Sequence, residues 1–338
     1  MKKIINFFTL FAGITLISPF LSSCSNYDTN YKIYDLWVGG VKVTSRNQSD
    51  ILKDGTVSYV HQETGGILTL NNANITQTFA LDVESCILTW MDDLTINVVG
   101  ENKVGLGEYI PVDGIVAKNL IIEGDGSLDV GGKGSCIKGD NISINSSKIT
   151  THLEKQDSNT GSIMGVGIWA SYDLNITGGD VEVCSTAPYS PFSYGIYSTE
   201  NINISGGNIQ IKQENAFEIG IGLIASEKIN ITGGNVDVYG LDDAINVRHY
   251  EQSGGNISAK ALDFFGDGAC RLVSKASILG GSFSTNILMR PAIDYPNLYS
   301  EGLTIADSLI VKGGSDSSNL EEKDKTTYLF NDVYVEIR

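Results

Sequence analysis

The sequence predicts an all-β chain wound as a single-stranded, right-handed parallel β-helix, a solenoid with an N-terminal β cap. Three observations carry that prediction. One phrase is said four times between Asp173 and Lys260, as DLNITGGDVEV, NINISGGNIQI, KINITGGNVDV and YEQSGGNISAK. Its Gly pairs, Gly178/Gly179, Gly206/Gly207, Gly233/Gly234 and Gly254/Gly255, stand 28, 27 and 21 residues apart and return at Gly280/Gly281. A repeat of twenty-odd residues is the mark of a solenoid. Within each copy apolar and polar residues alternate, Ile202 and Ile204 before the pair and Ile209 and Ile211 after it, which is the pattern of half-buried strands and not of helix. Handedness follows the rule for parallel crossovers.

In chain order, residues 1–23 read as a signal peptide: Lys2 and Lys3, an apolar run from Ile4, then Leu21-Ser22-Ser23 before Cys24. That ending resembles the lipobox of bacterial lipoproteins, in which the Cys is acylated and becomes the first residue of the mature chain. With Ser25 rather than Asp after Cys24, the resemblance implies an outer-membrane lipoprotein of the cell envelope. A plain secretory signal or a membrane-spanning helix is the alternative, since length alone does not exclude a span. Residues 24–33 form a short tether. Residues 34–75 are expected to be the cap, because an open β-helix end exposes unpaired strand groups and must be covered.

Coils are expected over residues 76–314. Each has a strand before the repeated phrase (GIWAS, GIYST, GLIAS), one leading into the Gly pair and one leaving it. The Gly pair offers backbone angles closed to residues with a Cβ, so the chain turns a corner without a long loop. No coil buries its own apolar face, so the coils must stack. About ten of them would make a rod on the order of 45–50 Å long. Asn175, Asn203 and Asn230 share one column, where side-chain amides one strand spacing apart bond up and down a ladder. MRPAIDYPNLYS, from Met289 to Ser300, reads as a loop, and LTIADSLIVKGG resumes the pattern. Residues 315–338 close the fold, with SDSSNLEEKDK as a charged surface loop and TTYLFNDVYVEIR as a strand pair.

At 338 residues the chain is long enough for two domains, but a solenoid grows along one axis, so residues 34–338 are read as one β-helix. The net charge of −17, with no Lys/Arg stripe, weighs against a nucleic-acid binder, and none is expected as a partner. It also means that an acidic glycan needs a local basic patch or a bridging cation. Cys86, Cys136, Cys184 and Cys270 show no CxxC spacing and read as buried core thiols. His61, His152 and His249 are scattered, and no zinc pattern, GxSxG elbow or phosphate loop is present.

Two constellations carry chemistry. Asp242 and Asp243 are followed one coil later by Asp267, which the Gly-pair count places in the column of Asp242. Carboxylates stacked at one strand spacing repel unless one is protonated or a cation lies between them, and oxygen ligands beside Gly corners suit Ca²⁺. The bland alternative is turn acids that point into water. The second constellation follows if Ile168, Ile196 and Leu223 point inward. Trp169, Tyr197 and Ile224 then point outward on successive coils, with Arg271 two coils beyond. An aromatic strip is a platform for the apolar faces of sugar rings, unless loops such as STAPYSPFSY fold over it.

DLWVGG with VTS, GILTLNNANI, the NITGG phrases and DDAIN resemble the bacterial β-helix proteins described as carbohydrate-binding, whose fold is similar to that of pectate lyases. The resemblance covers most of the mature chain. It implies a polysaccharide partner, and through the acidic motif it associates calcium with Asp242 and Asp243. The resulting expectation is a non-catalytic, surface-anchored polysaccharide-binding monomer that touches membrane only through its lipid anchor. A uronate lyase is the enzyme alternative, although Arg248, close in sequence to Asp243, is a poor base unless desolvated. A structural or adhesive rod is the third reading.

Overall fold

The computed structural model describes residues 31–79, 84–154, 164–185, 192–213, 219–262, 269–286, 303–315, 317–325 and 334–338. The fold is a parallel β-helix, and the regular structure among the described residues is all strand. Each coil presents three faces. In one coil these are Gly165–Ala170, Asp173–Ile176 and Asp180–Ser185. The next coil repeats them as Phe192–Ser198, Asn201–Ile204 and Asn208–Gln213, each strand pairing in parallel with the one below. Among the described residues the third face stacks nine parallel strands, from Asn74–Ile75 to Ser282–Asn286, against the roughly ten coils expected from the sequence. At one strand spacing each, nine strands span roughly 38 Å.

The core is a set of inward rows running along the rod. One row is Leu94, Leu120, Ile142, Leu174, Ile202 and Ile229, and another is Ile96, Ile122, Ile144, Ile176, Ile204 and Ile231, all at most 1% exposed. Burying one such side chain contributes about 1.5–3 kcal/mol before the entropy of ordering is counted. Both rows change character at one coil, where Tyr250 follows Ile229 and Gln252 follows Ile231. Tyr250 is accommodated because Ala276 sits opposite it on the next coil, and its ring meets Phe283 edge-on at 5.9 Å. Its hydroxyl donates to Gln252 Oε1 at 3.0 Å, and Gln252 Nε2 donates to the carbonyl of Ser282 at 3.0 Å, so the polar groups are paired inside the core.

A further inward row consists of small residues on the first face: Cys86, Gly114, Cys136, Gly167, Gly195, Gly222, Ala244 and Ala269. A Cβ at Gly114 would lie 2.5 Å from Val130, so the first and third faces approach too closely there for a large side chain. This explains the cysteines better than redox chemistry does. Cys86 and Cys136 are fully buried members of the small row, Cys270 is buried beside it, and Cys184 alone is half-buried, on the third face.

The two glycines of each pair serve different needs. The second has positive φ, +84° at Gly179, +88° at Gly207 and +87° at Gly234. The first lies against the coil below, and a Cβ at Gly233 would sit 2.5 Å from the Ser205 carbonyl oxygen.

Asparagine ladders pin the register. Of the ladder expected through Asn175, Asn203 and Asn230, the first rung forms, with Asn203 Nδ2 donating to Asn175 Oδ1 at 3.0 Å, and Asn230 stands in register with Asn203. A second ladder climbs the start of the second face, from Asp93 through Asn119 to Asn141, with bonds of 3.0 and 2.9 Å. A third follows the Gly pairs, Asp180–Asn208–Asn235–Asn256–Ser282, with four bonds of 2.8–2.9 Å. Asp180, Asn208, Asn235 and Asn256 each stand just past a glycine pair in the sequence, which is the signal that would have revealed this one.

The ends depart from expectation. Antiparallel pairing occupies Ile33–Val38, Val41–Thr44 and Val57–His61, but Gly65–Asn71 already pairs in parallel with Asp93–Val99, so the stacking begins about ten residues before the expected cap boundary at 75. At the other end Leu303–Ile305 resumes the parallel stack on Cys270–Ile278, as expected, but Val311–Gly314 does not. It pairs antiparallel with Tyr334–Ile337, which pairs antiparallel with Ser282–Asn286. The charged stretch 315–325 contains a short strand, Glu321–Glu322, on the same edge. The signal segment with Cys24, and the loop 289–300, lie outside the described residues.

Candidate functional site

The first face positions the strip. Ile168, Ile196 and Leu223 are fully buried in register, so the residues that follow them face outward. The column reads Val116, Lys138, Trp169, Tyr197, Ile224, Asn246 and Arg271, one residue per coil. Arg271 stands two coils beyond Ile224, as predicted. Trp169 and Tyr197 are half-buried, with ring centroids 5.8 Å apart and planes tilted by 53°. Tyr194, three residues earlier on the same strand, adds a third ring 5.6 Å from Tyr197. These spacings are those of favourable aromatic pairs. Lys138 Nζ lies 4.5 Å from the Trp169 ring centre, a cation over an aromatic face. Trp169 Nε1 is buried and meets no acceptor among the described residues, so the indole offers a ring face and not its N–H.

Sequence reasoning treated Tyr194 as part of a covering loop. It belongs instead to the strand Phe192–Ser198, and only residues 186–191 of that loop remain, outside the described residues. A second outward column runs beside the strip through Asp113, Ser135, Val166 and Tyr194 to Ile221. Val166 and Ile221, in register with Tyr194 on the neighbouring coils, are buried.

The acidic motif occupies a short corner between the third face and the first. Strand Asn235–Gly240 passes to strand Ile245–Gln252 through Leu241-Asp242-Asp243-Ala244 alone, a short connection like that of Lys133 and Gly134 between Ser127–Gly132 and Ser135–Gly139. The corner docks on the coil below: the backbone N–H groups of Leu241 and Asp242 donate to the Gly220 carbonyl at 2.9 and 3.0 Å. Asp242 Oδ2 in turn accepts the Gly220 N–H at 2.7 Å. Asp243 is 3% exposed. Its Oδ2 accepts a 2.7 Å bond from Asn246 Nδ2 and lies 3.5 Å from Arg271 Nε.

The two constellations are therefore one. Asn246 and Arg271, members of the outward strip, hold the buried Asp243 and tie the acidic corner to the end of the aromatic column. Asp113 repeats the arrangement at the other end. Burial pushes its carboxyl above the ordinary carboxylate range, opposed by the charge of Lys138 and a hydrogen bond from Ser135. The rings thus lie between two buried acids, each facing a base of the strip.

Asp243 fits an ion pair better than a calcium ligand, because the Arg271 guanidinium already neutralises it. Asp242 is half-buried, and Asp267 lies outside the described residues. Among the described residues no three His, Cys, Asp or Glu side chains gather as a metal site would require. Arg248 does not face the acids. Its Nη1 lies 3.4 Å from Glu227 Oε1 on the exposed surface.

Fold and site together define a parallel β-helix carrying an aromatic strip with charged ends on its first face. No family model, curated protein or solved structure matches the chain.

Proposed function

We propose that this chain is a non-catalytic polysaccharide-binding protein of the cell envelope, anchored to the outer membrane through acylated Cys24. One observation carries the proposal: the Trp169, Tyr194 and Tyr197 rings stand together on the outward side of one face, bounded by Lys138 and Arg271. Sugar rings present apolar C–H faces that pack on aromatic faces, and their hydroxyls need polar groups at the edge of the platform. Asn246 and Tyr197 supply such groups. The strip lies parallel to the rod axis, so a glycan chain would run along the coils rather than across them.

The test is a glycan array followed by titration of each hit with the parent, Trp169→Ala and Tyr197→Ala proteins. By analogy with bases stacked on aromatic side chains, losing one ring should remove on the order of 1–2 kcal/mol of binding. Unchanged affinity in both variants would refute the strip as the binding platform. Ultraviolet absorbance during the same incubations separates binding from lyase action, because only elimination leaves an unsaturated product.

Calcium enters the proposal at Asp242 with Asp267. Calcium should raise the melting temperature of the parent by linkage. Asp242→Asn should lose that response, and an equal response in both proteins would remove calcium from the account.

A further inference from the structure

On the third face we propose a second binding site, for an anionic sugar residue, built on Tyr239 between Lys212 and Lys260. Outward residues there form three parallel columns. The first is the asparagine ladder, the second runs Glu182–Gln210–Asp237–Ser258, and the third runs Cys184–Lys212–Tyr239–Lys260. Register places Lys212 one coil below Tyr239 and Lys260 one coil above it, each roughly 4.8 Å away along the rod.

The ring does not lie on a flat sheet. A cavity of about 440 Å³ opens at it, walled on the apolar side by Leu241 and by Leu262, which is 55% exposed. The cavity shares Gln210 and Asp237 with an open groove of about 650 Å³ that runs over the asparagine ladder. An aromatic floor, an apolar wall and two flanking ammonium groups, against the single carboxylate of Asp237 on the side shared with the groove, match one chemistry: a pyranose ring with an apolar face and an acidic substituent held over the lysines. The groove beyond it offers amides and hydroxyls at every strand spacing for the hydroxyls of neighbouring sugar units.

In a chain of net charge −17 such a site must be local. The only acid close to either lysine's ammonium group in an ion pair is Glu182, 4.0 Å from Lys212 and itself 40% exposed, among the described residues. A pair so long and so exposed is worth little and yields to a better-placed anion. Binding should then weaken with salt, since exposed charges are screened over about 10 Å at 0.1 M. The site is independent of the first-face strip, and either can fail without the other.

The experiment is calorimetric titration of the mature protein with three oligosaccharides of equal length, one carboxylated, one sulfated and one neutral. At least one acidic probe should bind more tightly than the neutral one. Its affinity should fall at least tenfold in Lys212→Gln/Lys260→Gln and in Tyr239→Ala. Lys212 and Lys260 are exposed, so the double variant keeps its fold, and a circular dichroism spectrum matching the parent verifies this. Which acidic probe binds identifies the anionic group. Equal binding of all three probes by the parent overturns the proposal, as does a loss that follows Trp169→Ala instead of the lysine pair.

Discussion

Removing Arg271 tests the union of the acidic corner with the strip. Asp243 has a side chain only 4% exposed, while Arg271 is 39% exposed, with Nε 3.5 Å from Oδ2. Deleting one partner of a fully buried ion pair costs about 3–5 kcal/mol, because the other charge is left uncompensated. That figure is too large here. The arginine is partly solvated, the contact is long, and Asn246 still donates at 2.7 Å. A hydrogen bond to a charged group is worth about 1.5–3 kcal/mol, so Arg271→Ala should cost roughly 1–2 kcal/mol. The assay is urea unfolding of the parent, Arg271→Ala, Asp243→Asn and the double variant, with midpoints converted at constant slope. If the pair interacts, the double variant should be at least about 0.5 kcal/mol more stable than the sum of the singles implies. Additivity within about 0.3 kcal/mol would refute the reasoning and leave Arg271 as a strip residue alone.

Three other outcomes follow from the same geometry. Tyr250→Phe should destabilise by about 1–2 kcal/mol, since it opens no cavity yet takes the donor from Gln252 Oε1; an unchanged midpoint would show that the buried bond contributes nothing net. Asp113→Asn should be more stable than the parent at pH 7, with the advantage shrinking as pH falls toward 4. A carboxyl whose folded pKa is raised favours the protonated form, so the parent gains stability as pH falls through that value toward the ordinary 3.8, and pH-dependent midpoints check the sign. Gly234→Ala should cost clearly more than Gly55→Ala in thermal unfolding. Both positions have positive φ, +87° and +76°, but a Cβ at Gly234 meets the coil below at 2.9 Å whereas at Gly55 nothing lies within 4 Å.

The parallel stack was legible because its cause is periodic. Ile202, Ile204, Ile209 and Ile211 recur at a spacing that only inward rows satisfy, and each glycine pair marks the same corner. The ends were less legible because their cause is not periodic. Gly65–Asn71 has the alternation of a coil strand and of a cap strand alike, and only its pairing with Asp93–Val99 decides between them. Val311–Gly314 likewise reads as a coil from its residues, but the chain returns through Tyr334–Ile337 and covers the open edge in the antiparallel sense. An edge left unpaired is a template for aggregation, so local pattern yields there to closure.

For the site the same distinction operates residue by residue. Trp169, Tyr197 and Arg271 could be aligned from sequence because Ile168, Ile196, Ile245 and Cys270 fix the register below them. The contact between Arg271 and Asp243 could not, because it joins a corner residue of one coil to a strand residue of the next, and nothing in the periodic pattern fixes the side chain at a corner. Counting residues from a glycine pair measures position along a face, but the direction of a carboxylate at a corner depends on how many residues the corner contains. At this corner Asp243 is almost fully buried, and burial of its charge requires a partner. The nearest cation on the next coil is the strip's own arginine. The short corner thus converts an acidic motif that looks like a surface metal loop into the anchor of a basic residue, and the aromatic column acquires a fixed guanidinium at its end.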